Sequence, residues 1–158
     1  MLGILFIGDV IGRPGRQSLP AFIGKVKRQH QVDLVIANGE NSAGGTGITR
    51  DVAQELFHAG VDVITSGNHI WDKREALDLL DEEKRIIRPA NYPPGAPGQG
   101  SIVVEVGLPP RRVFIANLCG RAFMPELDCP FRTIDQVLAA NARPNDIVIV
   151  DFHAEATS

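Results

Sequence analysis

Val61-Asp62-Val63-Ile64-Thr65-Ser66-Gly67-Asn68-His69 runs from an apolar, β-branched segment into a tight polar turn. The first five residues read as a buried strand, and Ser66-Gly67 marks its end. An amide beside an imidazole at such a strand end suits a division of labour in which the amide ligates a metal and the imidazole faces a bound phosphate. Three other stations repeat the arrangement: Phe6-Ile7-Gly8-Asp9, Ala37-Asn38-Gly39-Glu40-Asn41 and Val150-Asp151-Phe152-His153. Each places a candidate ligand at the end of an apolar run, and the repetition argues for one site.

Outward from that stretch, short apolar runs alternate with longer amphipathic ones bounded by Gly and Pro, which is an α/β pattern. Strands are expected over residues 3–8, 33–37 and 61–65, and later over 101–106, 113–117 and 147–150. The first three runs are continuous rather than alternating, as in strands covered on both faces. Helices are expected over 18–29, over 51–58 with Thr49 as N-cap and Gly60 as stop, over 73–82 with Asp72 as N-cap, and over 134–140 after Thr133. Prolines and glycines from Pro89 to Gly100 interrupt this rhythm, and Gly107-Leu108-Pro109-Pro110 then joins two strands as a hairpin. The expected architecture is a single α/β domain over 1–158, with a change of sheet near residue 90.

A chain of 158 residues that is 44% hydrophobic and 22% charged has the composition of a globular domain, not of a disordered one. Its formal charge of -3 builds in no general attraction to nucleic acid or to anionic membrane, so a phosphate ligand must be held locally and an RNA partner has no support from charge. Cys119 and Cys129 lack C-x-x-C spacing, which points to a reduced, cytoplasmic protein. The N-terminal apolar run has no basic flank and meets Asp9 at once, so it reads as a first strand and neither as a signal peptide nor as a membrane span.

Ligands gather at the carboxyl ends of parallel strands, where Asp9, Glu40, Asn41, Asn68 and His153 would converge if the strands are adjacent. Oxygen donors with imidazole suit manganese, iron or zinc better than calcium. Taken alone, Asp9 serves equally as a turn cap. The run Ser42-Ala43-Gly44-Gly45-Thr46-Gly47 can cradle phosphate or act as a flexible turn, and it lacks the Lys-Ser/Thr ending of a P-loop. Arg13 and Arg16 lie near Asp9 in sequence and could neutralise a substrate.

Gly8-Asp9-Val10-Ile11-Gly12, Asn38-Gly39-Glu40-Asn41-Ser42, Gly67-Asn68-His69 and Asp151-Phe152-His153-Ala154-Glu155 resemble successive motifs of the calcineurin-like metallophosphoesterases, and more closely their YmdB-like bacterial phosphodiesterase branch. The resemblance implies a layered β-sandwich flanked by helices, two divalent metal ions (iron or manganese, with zinc or magnesium as alternatives) and hydrolysis of a phosphodiester, a cyclic nucleotide in particular. It implies that Asp9 and Asn41 bind the first ion, Glu40 bridges, Asn68 and His153 bind the second, and His69 donates a proton to the leaving oxygen. Ile11 stands where the superfamily usually has His, so Asn41 is expected to supply that contact. The family also has a downstream Gly-x-His-x-His block, whereas the histidines here are His30, His58, His69 and His153. The chain is therefore expected to be an N-terminal portion or a shortened form, with the first sheet mostly present, the second incomplete, a partial metal site, and uncovered apolar sheet surface able to take up another copy of the chain.

Two other classes compete. A non-enzymatic regulator binding nucleotide or RNA would follow from an incomplete site. An SGNH-type esterase also uses a Gly-Asp block, but its nucleophilic Ser would stand at Val10.

Overall fold

The computed structural model describes residues 1–154, so Glu155 of the last motif and the chain end at Ser158 lie outside the described residues. Six strands form two three-stranded sheets among the described residues. In the first, β1 (Ile4–Ile7), β2 (Leu34–Asn38) and β3 (Val63–Thr65) run parallel in the order β1-β2-β3. In the second, β4 (Ser101–Val106) pairs antiparallel with β5 (Arg111–Cys119), which pairs parallel with β6 (Ile147–His153). The change of sheet expected near residue 90 is therefore present, and so is the hairpin.

Period-two geometry assigns the two faces of β2 to different partners. Val35 and Ala37 pack with Leu19, Ile23, Ala53, Leu56, Leu79 and Leu80 of the helices. Leu34 and Ile36 pack with Val113 and Ile115 of the second sheet. A strand sandwiched in this way cannot alternate with polar residues, which is why β2 and β3 are buried throughout. At the edge of the sheet β1 is less covered, and Phe6 is 40% exposed.

The helices depart from expectation at their starts. α1 (Gly12–Gln29) begins six residues early, with Pro14 in a first turn whose N–H groups need no helical partner. Ser18 lies inside it, its hydroxyl donating to the Gly15 carbonyl at 2.8 Å. α2 (Arg50–His58) starts as expected, Thr49 Oγ1 accepting from Val52 N, and ends at Gly60, whose φ of +101° favours glycine. Asp72 does not cap a helix: residues 68–72 form a 3-10 turn, and α3 (Ala76–Glu82) starts four residues later. α4 (Pro130–Asn141) starts at its proline rather than after Thr133.

Candidate active site

The carboxyl ends of β2, β3 and β6 meet where the two sheets abut. Glu40 follows β2 and is 1% exposed. Asn38 aims it, accepting the Glu40 backbone N–H on its side-chain oxygen at 3.2 Å in a local Asx turn. One carboxylate oxygen of Glu40 accepts the His69 backbone N–H at 2.8 Å. The other lies 2.9 Å from Nδ1 of His153, in a contact without hydrogen-bond alignment. Nε2 of His153 in turn faces Oδ1 of Asn68 at 2.9 Å. Glu40, Asn68, the 69 amide and His153 are thus in mutual contact although 113 residues separate the first from the last.

Gly67 makes that approach possible. Its φ of -151° is ordinary extended backbone, so conformation does not demand glycine. Space does: a Cβ there would stand 2.5 Å from both Glu40 carboxylate oxygens and from Cδ2 of His153.

Asp9 and Asn41 form a second group. Asn41 Nδ2 donates to both carboxylate oxygens of Asp9 at 3.3 Å, and the Asn41 carbonyl accepts the Gly12 N–H at 2.9 Å. Asn41 is bonded to Glu40 in the chain, so the two groups are neighbours. Arg16 is not free for a substrate, because it donates to the Ser42 carbonyl and pairs with Glu55 at 2.7 Å. Val10 is buried at 2% exposure and its N–H is spent on the Asn38 carbonyl, which removes the position an SGNH serine would need.

Sequence reasoning missed three residues. Asp72 Oδ2 lies 2.9 Å from Nδ1 of His69 and orients that ring. Asp151 accepts from Asn38 Nδ2 at 3.5 Å across the two sheets. Burial pushes the Asp151 carboxyl above the usual range, and the Glu40 charge adds to this, against lowering by Thr65, Asn38 and His153. Asn38 is the third, and its signal was readable: Asn-Gly directly after a strand predicts a side-chain turn. The i, i+3 spacing of His69 and Asp72 would have paired them had residues 68–72 been read as helical.

The donors suit a cation. Among the described residues no group of three or more His, Cys, Asp and Glu side chains is arranged as a metal site. The cluster instead combines one buried carboxylate, one imidazole and amide oxygens, and a buried carboxylate oxygen without an aligned donor is stabilised by a bound positive charge. At Asn41 the amide now presents its N–H₂ to Asp9, an orientation inferred from hydrogen bonding, and ligation requires it to turn over.

The chain is 43% identical to the 2',3'-cyclic-nucleotide 2'-phosphodiesterase of Bacillus subtilis strain 168 over 155 residues, covering 98% of this chain and 58% of that protein. A crystal structure of a hypothetical protein from Thermus thermophilus superposes with a TM-score of 0.86 at 43% identity, covering 97% of this chain and 58% of that one. A crystal structure of a novel phosphatase from Mycoplasma pneumoniae gives 0.86 at 34% identity, covering 97% and 55%. The chain thus spans little more than half the length of the relatives it matches. Residues 5–158 match the family described as YmdB-like protein, so the chain belongs to the YmdB-like family.

Proposed function

We propose that the protein is a metal-dependent phosphodiesterase acting on a cyclic nucleotide, of the 2',3'-cyclic class named for the Bacillus relative. The observation that carries this reading is the buried Glu40 carboxylate, set between Asn68, His153 and the 69 amide and lacking, among the described residues, an aligned partner for one oxygen.

Glu40, Asn68 and His153 would hold one divalent ion, and Asp9, Glu40 and Asn41 a second, with iron or manganese best matched to the donors. When bound, such ions polarise the phosphoryl oxygen and make water a better nucleophile. The rest falls to the chain. Asp72 accepts the Nδ1 proton of His69 and fixes the ring, so that the doubly protonated imidazolium would give its Nε2 proton to the departing oxygen and remain as the neutral Nδ1–H imidazole. General acid assistance of this kind is typically worth about 10² to 10⁴ in rate. Buried Asn38 and half-buried Asp151 would keep the carboxylate and the β6 imidazole in register across the two sheets.

The test is manganese binding measured beside hydrolysis of a 2',3'-cyclic nucleotide, with Glu40→Gln as control. Metal-dependent turnover that the variant loses supports the reading. Tight nucleotide binding with no turnover at saturating manganese would favour the non-enzymatic regulator, for which the small number of charged ligands among the described residues argues.

A further inference from the structure

The chain has one Trp and one Tyr, and the fold brings them together beside the candidate site. The rings of Trp71 and Tyr92 meet edge to face, centroids 5.1 Å apart at 66°. Trp71 belongs to the same 3-10 turn as Asn68 and His69. That turn is five residues long, with poorer hydrogen-bond geometry than an α-helix, so its shape depends on outside support.

Tyr92 is well placed to give it, because the loop that carries it is pinned by two buried polar side chains. Arg88, 8% exposed, donates to the carbonyls of Pro89 at 2.8 Å, Pro97 at 3.2 Å and Ala96 at 3.3 Å. Asn91, 1% exposed, exchanges hydrogen bonds with Cys119, Nδ2 donating to its carbonyl at 2.8 Å and Oδ1 accepting its N–H at 2.9 Å. Cys119 is the register partner of His153. The Ala90 N–H reaches the Asn117 carbonyl, and Asn117 Nδ2 donates to the Ser66 carbonyl at 2.7 Å, two residues before Asn68. Burial raises the Tyr92 hydroxyl pKa, against lowering by a hydrogen bond from the Trp71 indole and by the Arg88 charge, and the Glu40 charge raises it further. Trp71 Nε1 is buried and has no aligned acceptor among the described residues. The contact with defined geometry between the two residues is ring on ring, with the indole N–H close enough to the hydroxyl to lower its pKa.

We propose that Tyr92 is a positioning residue, whose ring packs against Trp71 and so holds the 68–72 turn with Asn68 and His69 in their working places. This rests on the phosphodiesterase reading, in which those two residues act on metal and leaving group. Loss of the ring should let the turn relax while the pinned loop and both sheets persist.

The experiment compares the protein with Tyr92→Phe, which keeps the ring, and Tyr92→Leu, which does not. The substrate is bis(p-nitrophenyl) phosphate with manganese, and the emission of Trp71 is followed in the same samples. Tyr92→Leu should lower kcat by about tenfold or more with KM changed by less than about twofold, the size usual for groups that orient a metal ligand. Its Trp71 emission should shift and lose part of its quenching by manganese, while Tyr92→Phe stays within about twofold of the parent in every readout. Equal kcat for Leu and parent would overturn the proposal, as would a Phe variant as impaired as Leu, which would assign the role to the hydroxyl. If the parent itself hydrolyses nothing, the phosphodiesterase reading has no support from this chain, and manganese quenching of Trp71 still decides whether Tyr92 holds the turn.

Discussion

Glu40 and His69 meet through one hydrogen bond, yet their side chains have different surroundings. The Glu40 carboxylate touches His153 and the 69 amide, so replacing it by an amide removes the negative charge on which the cluster is built. His69 contributes its backbone N–H to that cluster and its ring to Asp72 instead. Glu40→Gln should therefore lose manganese affinity by more than the roughly 10- to 100-fold typical of an outer partner, with activity lost alongside. His69→Ala keeps the backbone N–H and should retain metal while turnover falls by about 10² or more. Elemental analysis of both variants checks the distinction, and metal loss from His69→Ala would move the ring into the ligand set. Gly67→Ala is a third probe: its methyl would overlap the Glu40 carboxylate and the His153 ring, so metal should be lost with little change in overall fold.

At the level of elements, the two sheets are joined by buried polar groups as much as by the apolar layer between them. Asn117 on β5 is fully buried and donates to the carbonyls of Ser66 at 2.7 Å and Ile87 at 3.4 Å, tying the second sheet to the end of the first. Asn117→Leu leaves the Ser66 carbonyl buried without that donor, which costs about 1–3 kcal/mol. For a chain of this size the melting temperature should drop by about 2–4 °C per kcal/mol in a thermal scan. Arg112 and Asp146 clamp the start of β5 to the turn before β6 through two hydrogen bonds at 3.0 and 3.3 Å. Arg112 holds the Asp146 carboxyl below its usual range, helped by the Arg143 N–H. A depressed folded-state pKa contributes stability above the ordinary carboxylate range and loses it as pH falls through the folded value. Arg112→Met should therefore be less stable than the parent at neutral pH and should converge with it in strong acid, as urea titrations at several pH values would show.

The order of elements was legible in the sequence because apolar runs and their breaks fix strand positions almost to the residue, as at 101–106 and 34–38. Helix starts were less so. The expected starts at 18 and 134 lie beyond Pro14 and Pro130, whereas in a first turn proline lacks only an N–H that would have no partner anyway. The candidate site residues were visible as repeated strand ends, but the residues that support them were not. Asp151, Arg88 and Tyr92 act through partners far along the chain, and no local pattern announces a contact of that kind.

Across the whole molecule, the two faces of β6 carry opposite duties. Ile147, Ile149, Asp151 and His153 turn inward, the isoleucines to the inter-sheet core and the last two to the site. Val148, Val150 and Phe152 turn outward and remain 44%, 40% and 41% exposed, with Phe131 of α4 against Phe152 at 6.0 Å and itself 70% exposed. A contiguous apolar face of this sort favours association. At micromolar concentration the chain should bind a hydrophobic dye and sediment partly as larger species. Val148→Lys combined with Val150→Lys should weaken both effects, charged residues on an edge strand being an established deterrent to pairing. Because side chains alternate along a strand, the same pair of changes should leave manganese affinity within about twofold, the inward residues being untouched. Loss of metal binding in the double variant would mean that the outer face supports the position of His153, and that the two duties of β6 are not separable.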